Sequence, residues 1–350
     1  MKTIHVTASK EYDVKIGSGL LSALGTELSK VCKAGTAAII SDSNVWPLYG
    51  ETAAAALESA GFRTVNFVFP AGEAHKSGAN YLTILNFLAK NHITRSDCII
   101  ALGGGVVGDI SGFAAATFLR GIAYIQVPTT LLAAVDSSVG GKTAIDLDAG
   151  KNLAGAFCQP SLVLCDTDLL STLPHDIIRD GCAEVIKYGI LYDDALFSTL
   201  LRDGLDFDRE AVIARCVELK RDVVAQDEFD TGARQMLNLG HTVGHGIEAN
   251  SNFTVSHGRA VAIGMAIVTA AAVKYGICSS ETLTQVLSIL DKFELPCRTV
   301  CTAQELFESA LSDKKRLGGS VTLVVPEQIG RCILRPTPTS ELKDFIEAGL

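Results

Sequence analysis

The stretch Asp97-Cys-Ile-Ile-Ala-Leu-Gly-Gly-Gly-Val-Val-Gly-Asp109 decides the fold class that we predict for this chain. Its apolar first half is typical of a buried strand, and Gly103, Gly105 and Gly108 form a GxGxxG pattern where a helix should begin. Glycine lets a backbone approach a pyrophosphate, whose charge the N-terminus of a helix attracts. This favours a nucleotide-binding loop, although the acidic residue usual about 20 positions later is missing. Asp42, at the end of an earlier strand, could contact the ribose instead; a tight turn that needs small residues is the alternative reading.

Segments on both sides of this stretch alternate between strand and helix patterns. Further strands are predicted at residues 36–41, 63–69, 123–127 and 161–165, and helices at 53–60 and 80–90. Such alternation indicates a mostly parallel sheet covered by helices, which binds ligands beyond the carboxyl ends of its strands. Later in the chain, helices are predicted at 178–188, 210–228 and 258–275, with a short strand at 321–326. We therefore expect a domain boundary near residue 174.

Composition excludes several classes of protein. A length of 350 residues suggests two domains, and a net charge of −9 argues against a nucleic-acid or anionic-membrane partner. The ten cysteines are scattered without a CxxC pair, which favours reduced thiols in a cytoplasmic protein. The first residues form no apolar signal core, and the longest uncharged apolar run, 260–273, is too short to span a bilayer.

Cationic side chains follow the glycine-rich stretch. Gly141-Lys142-Thr143 resembles the end of a P-loop, but Asp136 stands where that motif requires its first glycine, so we reject this reading. Lys142, the pair Lys151-Asn152 and Arg120 still supply cations and an amide. Each alone is more often a solvated surface residue, but together they could hold a phosphate monoester.

The histidines are clustered in the second half of the chain. Three of the seven fall in Asn238-Leu-Gly-His-Thr-Val-Gly-His245 and Ser256-His257-Gly258. If the first segment is one helix, Asn238, His241 and His245 lie near one face. Imidazole is the commonest metal ligand and a proton carrier near neutral pH, but two hydrogen-bonded histidines on a helix face are an equally good reading.

Charged residues are also predicted inside an apolar helix. Glu184, Lys187 and Tyr188 share a face of the predicted helix at 178–188, whose sequence is mostly apolar. We expect these charges to be partly buried, and buried charges need a partner or a metal. An ordinary surface Glu–Lys pair is the alternative.

In combination, these motifs resemble the 3-dehydroquinate synthase family. The resemblance runs in order from Asp42 to the Asp313-Lys-Lys turn. The segments that carry it are Gly103–Asp109, Arg120-Gly121, Pro128-Thr129-Thr130, Lys142, Lys151-Asn152, Ala183–Gly189, Asn238–His245 and Ser256–Gly258.

The resemblance implies an architecture. Residues 1–174 would form an α/β, Rossmann-like, NAD-binding domain with a parallel sheet. Residues 175–350 would form a mostly α-helical domain that binds metal and substrate, with the active site in the interdomain cleft. It further implies a homodimer.

The resemblance also implies two cofactors. One divalent metal, zinc or cobalt, would be held by Glu184, His241 and His257, so that His245 faces the substrate instead. NAD would lie against a set of residues from the first domain. These are Asp42, Ala71, Gly72, Glu73, Ala74, His75, Lys76, Gly104, Gly105, Val106, Val107, Gly108, Asp109, Thr129, Thr130, Lys142, Lys151, Leu169, Leu170, Ser171 and Thr172. Many family members have Asp where this chain has Ala71.

The implied reaction belongs to the shikimate pathway of aromatic amino acid biosynthesis. The sugar phosphate 3-deoxy-D-arabino-heptulosonate 7-phosphate would become 3-dehydroquinate and phosphate through transient oxidation by NAD, β-elimination of phosphate, re-reduction and intramolecular aldol closure. Lys142, Asn152, Lys314 or Lys315, and Arg120 from the other subunit, would hold the phosphate. Arg234 and Asn238 would hold the carboxylate. Lys187, Lys220, Asp136 and His245 would order the hydroxyl groups and relay protons, and the leaving phosphate would help to remove the C6 proton.

Three other functions remain open. Another sugar phosphate cyclase, one that makes 2-deoxy-scyllo-inosose or a valiolone, would act on a substrate without a carboxylate and would give no reason for Arg234 beside Asn238. A metal-dependent polyol dehydrogenase would accumulate NADH and would not need so many phosphate-directed cations. An inactive nucleotide-binding module would not need the set of Glu184, His241 and His257.

Overall fold

The chain divides into two compact units. Unit 1 consists of Met1–Leu173 and Arg209–Phe229, and unit 2 of Pro174–Asp208 and Asp230–Leu350. The computed structural model describes residues 1–314 and 319–350, without the side chains of residues 312–314. The functional division into residues 1–174 and 175–350 stays a prediction.

The helices and strands follow in chain order. Unit 1 begins with β1 (Lys2–Val6), β2 (Tyr12–Gly17), α1 (Leu24–Leu28), β3 (Thr36–Asp42), α2 (Glu51–Ser59), β4 (Arg63–Phe69), α3 (Gly78–Lys90), β5 (Cys98–Gly103), α4 (Gly105–Thr117), β6 (Ala123–Pro128), β7 (Lys142–Leu147), β8 (Gly150–Phe157) and β9 (Leu162–Asp166). Unit 2 then contributes α5 (His175–Tyr192) and α6 (Asp194–Asp203), and the chain returns to unit 1 for α7 (Arg209–Gln226). The remainder of unit 2 contains α8 (His241–Asn250), α9 (His257–Lys274), α10 (Ser280–Lys292), α11 (Ala303–Lys314), β10 (Ser320–Gln328), β11 (Arg331–Pro338) and α12 (Thr339–Gly349).

Unit 1 is built on a seven-stranded sheet with the order β1-β2-β9-β6-β5-β3-β4. All neighbouring strands are parallel except β1 and β2. Every residue of β5 is buried, as expected for a central strand that helices cover on both faces. The predicted strands correspond to β3, β4, β5, β6 and β9, which confirms the mostly parallel α/β sheet.

Two antiparallel pairs in unit 1 were not predicted from the sequence. β1 and β2 extend the sheet at one edge. β7 and β8 form a separate hairpin that pairs Lys142 with Phe157. The hairpin is tied to the loop after β4, because the Asp146 amide donates to the Lys76 carbonyl at 2.8 Å.

Unit 2 is mainly helical, as predicted. Its core gathers apolar side chains from α8, α9, α11, α12 and β10, among them Ile247, Ile263, Leu306 and Phe345. The apolar run at 260–273 lies within α9 and is largely buried, which confirms the interpretation as a core helix. The predicted strand at 321–326 is the centre of β10, which pairs with the unpredicted β11. In the part of the chain that the structure describes, every helix falls short of the length and apolar character required to cross a membrane.

Candidate active site

Helix α5 carries a carboxylate and an ammonium group into the interior of unit 2. Glu184 has 0% of its surface exposed and Lys187 has 1%, so both are more deeply buried than the sequence predicted. The Lys187 ammonium forms an ion pair with the Glu184 carboxylate, one helical turn away. Burying a charge is unfavourable unless partners compensate it, so the burial of this ion pair indicates that the fold forms a polar site here.

Two histidines converge on the Glu184 carboxylate. The Nε2 atom of His241 lies 3.5 Å from Glu184 Oε1, and the Nε2 atom of His257 lies 3.4 Å from the same oxygen. One ligand atom from each of the three residues lies within 4.8 Å of the others. The structure therefore brings together the three residues that we expected to hold a metal.

The path of the chain at Gly240 corrects one sequence interpretation. Asn238 to His245 do not form one helix, because the turn at 233–238 ends at Asn238 and α8 begins at His241. Gly240, between them, has a φ of 78°, which favours glycine. A Cβ at this position would lie 2.6 Å from the Val261 carbonyl oxygen, so the close packing of α8 on α9 also requires glycine.

The two histidines of α8, His241 and His245, differ in their surroundings. The Nδ1 atom of His241 lies 3.1 Å from the Leu239 carbonyl oxygen, so its Nε2 is the atom that faces Glu184. His245 lies one turn further along α8 and is exposed, with its ring centroid 5.5 Å from that of His241. His245 does not belong to the group of Glu184, His241 and His257, and its expected position facing the substrate stays a prediction.

The two imidazoles have opposite pKa shifts. Burial, assisted by the Lys187 ammonium, lowers the pKa of His241 to about 3. Burial would also lower the pKa of His257, but hydrogen bonds and charges from Glu184 and Glu248 outweigh it and raise the pKa to about 10. Near neutral pH the metal-free site therefore holds a neutral His241 and a protonated His257.

Glu248 was missed by the sequence reasoning. It is 3% exposed and lies on α8, with Oε2 3.3 Å from the Nδ1 atom of His257. It also belongs to a second group of possible metal ligands, with His245 and His257. Its spacing of seven residues from His241, on one helix face, was the signal that could have found it.

The ligand atoms of Glu184, His241 and His257 fit a divalent metal. One carboxylate and two imidazoles are the ligands of many catalytic zinc sites, and three protein ligands leave positions for a substrate. Glu184 is buried, and two nitrogen atoms already surround one of its oxygens. The assignment of these three residues as metal ligands stays a prediction.

In unit 1, the glycine-rich segment and the end of β6 lie side by side. The register of β5 and β6 pairs Gly103 with Pro128, and the Thr129 amide donates to the Gly103 carbonyl at 3.0 Å. Helix α4 already begins at Gly105, so the predicted loop at 104–109 is mostly the first turns of a helix. The N-terminus of α4 and Thr129-Thr130 therefore lie together beyond the carboxyl ends of β5 and β6, where we predicted that the pyrophosphate of NAD would bind.

Asp42 and the segment at 71–76 follow the carboxyl ends of the next two strands, β3 and β4. β3 and β4 pair Asp42 with Phe69, and the Ala71 amide donates to the Ser43 hydroxyl at 3.0 Å. The Asp42 carboxylate accepts hydrogen bonds from the Asn44 and Val45 amides at 2.8 and 3.0 Å, so it also caps its own turn.

The predicted NAD residues at 169–172 are of two kinds. Leu169 and Leu170 are buried, whereas Ser171 and Thr172 are exposed. The Tyr49 hydroxyl lies 2.5 Å from the Thr172 hydroxyl and donates to the Leu169 carbonyl at 3.1 Å, which fixes this turn.

Lys76 joins residues for which the sequence predicted separate roles. Its buried ammonium lies 2.5 Å from both the Asp109 carboxylate and the Asn152 side-chain oxygen. Burial would lower the pKa of Lys76, but the carboxylates of Asp109, Glu73 and Asp146 raise it. Nearby, Lys151 pairs with Glu73 at 3.4 Å. The structure thus links the predicted NAD residues Lys76 and Asp109 to the predicted phosphate residue Asn152.

The other predicted residues of unit 1 occupy distinct positions. The Lys220 ammonium, on α7, lies 2.8 Å from Asp136 Oδ1 and 2.6 Å from the Asp136 carbonyl oxygen. Lys142 is exposed at the start of β7. Arg120 is exposed in a turn and has a φ of 69°.

In unit 2, the predicted carboxylate-binding residues share one helical turn. Arg234 and Asn238 both lie in the turn at 233–238, and Arg234 is buried. The side chains of Lys314 and Lys315 lie outside the described residues, so their predicted role in phosphate binding stays a prediction.

Comparisons with known proteins show which family the chain resembles over its length. Two family models match, described as 3-dehydroquinate synthase N-terminal over residues 66–180 and 3-dehydroquinate synthase C-terminal over residues 181–316. A 3-dehydroquinate synthase of Streptococcus suis strain 05ZYH33 is 43% identical, covering 96% of this chain and 97% of the relative. One of Pelobacter propionicus is 45% identical and covers 92% of each.

Solved structures of related enzymes share the fold. A 2-epi-5-epi-valiolone synthase from Streptomyces hygroscopicus subsp. jinggangensis 5008, with NAD+ and Zn2+ bound, has a TM-score of 0.90 and 28% identity over 98% of this chain and 97% of that chain. A 2-deoxy-scyllo-inosose synthase complexed with carbaglucose-6-phosphate, NAD+ and Co2+ has a TM-score of 0.88 and 25% identity over 100% of both chains. A glycerol dehydrogenase from Schizosaccharomyces pombe, at 15% identity and a TM-score of 0.65, shares the fold alone.

The two solved structures with 25% and 28% identity over nearly the whole chain are sugar phosphate cyclases, and this is the class that the fold indicates. Within that class, the N- and C-terminal models of one family both match this chain, and relatives of the same family match it over nearly its full length. The chain belongs to the 3-dehydroquinate synthase family, as its motifs predicted, and is an enzyme of the lyase class that acts on phosphates.

Proposed function

We propose that this chain converts 3-deoxy-D-arabino-heptulosonate 7-phosphate into 3-dehydroquinate and phosphate, with NAD reduced and reoxidised in each turnover. The observation that carries the proposal is the convergence of Glu184, His241 and His257 in unit 2, within the range that the C-terminal family model matches. Full-length identity of 43% to a 3-dehydroquinate synthase supports the same reaction.

Glu184, His241 and His257 would hold one zinc or cobalt ion. Related solved structures contain Zn2+ or Co2+ together with NAD+, which supports both cofactors for this chain. When bound, the metal supplies Lewis-acid stabilisation of negative charge on a substrate oxygen. The Lys187 ammonium beside Glu184 would donate a hydrogen bond to a substrate hydroxyl, and the exposed His245 would accept or return a proton.

Unit 1 would bind NAD. The N-terminus of α4 at Gly104 and Gly105 would face the pyrophosphate, and Thr129-Thr130 lies beside it. Asp42, Glu73, His75 and the turn at 169–172 would contact the remainder of the dinucleotide. Because Lys76 is held by Asp109 and Asn152, we assign it to ordering this edge as well as to contacting the cofactor.

The phosphate and the carboxylate of the substrate would be bound by two separate sets of residues. Lys142, Asn152, Arg120 and Lys314 would hold the phosphate, and Lys220 with Asp136 would order ring hydroxyls. Arg234, with Asn238 in the same turn, would pair with the carboxylate. Buried arginine is well suited to bidentate binding of a carboxylate, because its planar fork matches the two oxygens.

The phosphate contact of Arg120 would come from a second copy of the chain. Leu119, next to Arg120, and Leu153 and Phe157 on β8 are exposed apolar side chains that the interface of such a homodimer would cover. Mixing the inactive variants Arg120→Ala and Glu184→Gln tests this. A mixed dimer regains one complete site if Arg120 acts on its neighbour, whereas no recovery, or a monomer in sedimentation, contradicts the proposal.

The proposed reaction is tested with purified protein, NAD, zinc and the heptulosonate phosphate. We expect release of inorganic phosphate and formation of the cyclic product without net NADH. Accumulation of NADH with a simple polyol would support a dehydrogenase instead.

Substrate choice is tested at Arg234. We expect Arg234→Leu to lower kcat/KM on the order of 10²–10³-fold, because truncating one partner of a buried charge pair costs about 2–5 kcal/mol. Arg331→Leu, which removes a surface pair with Glu327 in the same unit, is the matched control and should change little. Unchanged turnover of Arg234→Leu, with turnover of a hexose phosphate that lacks a carboxylate, would favour the inosose or valiolone cyclases.

A further inference from the structure

His257 stands between two carboxylates. Its Nε2 atom lies 3.4 Å from Glu184 Oε1, and its Nδ1 atom lies 3.3 Å from Glu248 Oε2. Glu248 is buried, at 3% exposure, so its charge must be compensated locally. Both ring nitrogens of His257 therefore have an acidic neighbour.

The chemistry of imidazole limits what these two neighbours can do together. A neutral ring has one nitrogen that carries a proton and one that offers an electron pair. If Nε2 gives its electron pair to a metal at Glu184, the proton must be on Nδ1, where Glu248 can accept it. A second metal bound by His245, Glu248 and His257 would need Nδ1 as an electron-pair donor as well, and the ring would have to lose both protons. The two groups of possible ligands therefore compete for one ring.

Burial decides between the two groups. The first contains the fully buried Glu184 and the half-buried His241, whose Nε2 faces Glu184 because its Nδ1 lies against the Leu239 carbonyl. The second depends on the exposed His245. Metal binding at the first group leaves Glu248 as a hydrogen-bond acceptor.

We propose that Glu248 is a positioning residue, which accepts the Nδ1 proton of His257 and so fixes the tautomer and orientation in which Nε2 faces the metal. This inference rests on the metal site of the proposed function. His241 achieves the same orientation through a backbone carbonyl, whereas His257 uses a carboxylate, which also makes the ring a stronger electron-pair donor.

The backbone of His257 is fixed independently of Glu248. Asp180, one turn before Glu184 on α5, accepts hydrogen bonds from the Ser256 hydroxyl and from the Arg259 amide at the start of α9. This contact holds the beginning of the helix but leaves rotation of the imidazole to Glu248. The loss of Glu248 should thus affect the ring and not the fold of α9.

The test compares zinc affinity in Glu248→Ala, Glu248→Gln and a control, by competition with a chromophoric chelator. We expect Glu248→Ala to bind zinc about 10–100-fold more weakly, as for other acceptors behind a metal-ligating histidine. Glu248→Gln keeps an oxygen acceptor without charge and should lose less. Glu305→Gln is the control, since this carboxylate caps its own helix through Thr302 in the same unit, and its affinity should equal that of the parent protein.

A spectroscopic measurement does not depend on any variant at Glu248. In the zinc-loaded parent protein, a long-range 1H–15N spectrum should show the His257 proton on Nδ1 and the metal on Nε2, with the signal assigned by its loss in His257→Asn. The opposite tautomer would overturn the inference. So would binding of two zinc ions per chain, or parental zinc affinity in Glu248→Ala.

The failure of this inference can be separated from that of the proposed function. If Glu184→Ala loses zinc but Glu248→Ala does not, only the positioning role is wrong. If Glu184→Ala binds zinc as tightly as the parent protein, the proposed metal site itself is wrong.

Discussion

Both units contain a buried lysine that is paired with a carboxylate, and the pairs formed by Lys76 in unit 1 and by Lys187 in unit 2 differ in what completes them. In unit 1, the Lys76 ammonium has Asp109 and the amide of Asn152 as acceptors, and the group is electrically neutral. In unit 2, Glu184 has the Lys187 ammonium and, in addition, two imidazole nitrogens within 3.5 Å of one oxygen. A carboxylate beside two imidazoles can bind a metal once His257 has lost a proton, whereas a lysine enclosed by oxygen acceptors suits a fixed structural contact.

The largest effect is expected from a substitution that disrupts the cluster around Glu184 in unit 2. Glu184→Gln removes a ligand charge at nearly constant volume. We expect phosphate release to fall about 10²–10⁴-fold, because the metal supplies several kcal/mol of stabilisation and each 1.36 kcal/mol is tenfold. Turnover is measured together with zinc content; a full complement of zinc with normal turnover would contradict the assignment.

The corresponding change in unit 1 should act on stability. Asp109→Ala leaves the buried Lys76 ammonium without its carboxylate, so we expect the free energy of unfolding to fall by about 3–5 kcal/mol in urea titrations. Combining Asp109→Leu with Lys76→Met should recover much of this loss, because no buried charge remains.

Asp222→Asn, at an exposed pair with Arg221 on α7, is the control and should change stability by less than about 1 kcal/mol. A destabilised control, or an Asp109→Ala variant of unchanged stability that has lost zinc, would remove the distinction between the two pairs.

Proton release should sharpen the comparison. The pKa of His257 is raised to about 10 in the metal-free protein, so this ring is protonated at pH 7 and must lose a proton to become a ligand. We expect zinc binding to release about one proton, and affinity to fall about tenfold for each pH unit below that pKa. Calorimetry in buffers of different ionisation enthalpy measures the number directly. Zinc binding without proton release would show that His257 is not a ligand or is already neutral.

The smallest effect concerns the amide that completes the pair in unit 1. Asn152→Ala removes one hydrogen bond from a charged donor, which should lower the free energy of unfolding by about 1–3 kcal/mol. If Asn152 also contacts the substrate phosphate, KM should rise while zinc affinity is unchanged. A normal KM with reduced stability would limit Asn152 to ordering Lys76.

The sequence predicted those features that local pattern controls. β3, β4, β5, β6 and β9 are short apolar runs bounded by turn residues, and their alternation with helices was sufficient to predict the parallel sheet. Helix α7 was predicted as a helix, but its place in unit 1 depends on contacts far apart in sequence. Local pattern carries no information of that kind.

The candidate site was less predictable from local pattern. Spacing alone grouped Asn238, His241 and His245 on one helix, which the break at Gly240 contradicts. The choice of His257 came from resemblance to a family, because that residue begins a separate helix. Glu248 was missed because its spacing of seven residues from His241 shows only a shared helix face and does not show which imidazole the carboxylate contacts.

Helix α7 has a consequence for dissecting the gene. It belongs to unit 1 although residues 174–208 of unit 2 precede it, so the coding order does not follow the spatial division. A fragment that stops at residue 173 would lack Lys220 and leave Asp136 without that ammonium. A fragment that starts at residue 174 would carry a helix whose own partners are elsewhere. Complementation with truncated halves, or exchange of one half between homologous genes, therefore has to move residues 209–229 together with the N-terminal portion.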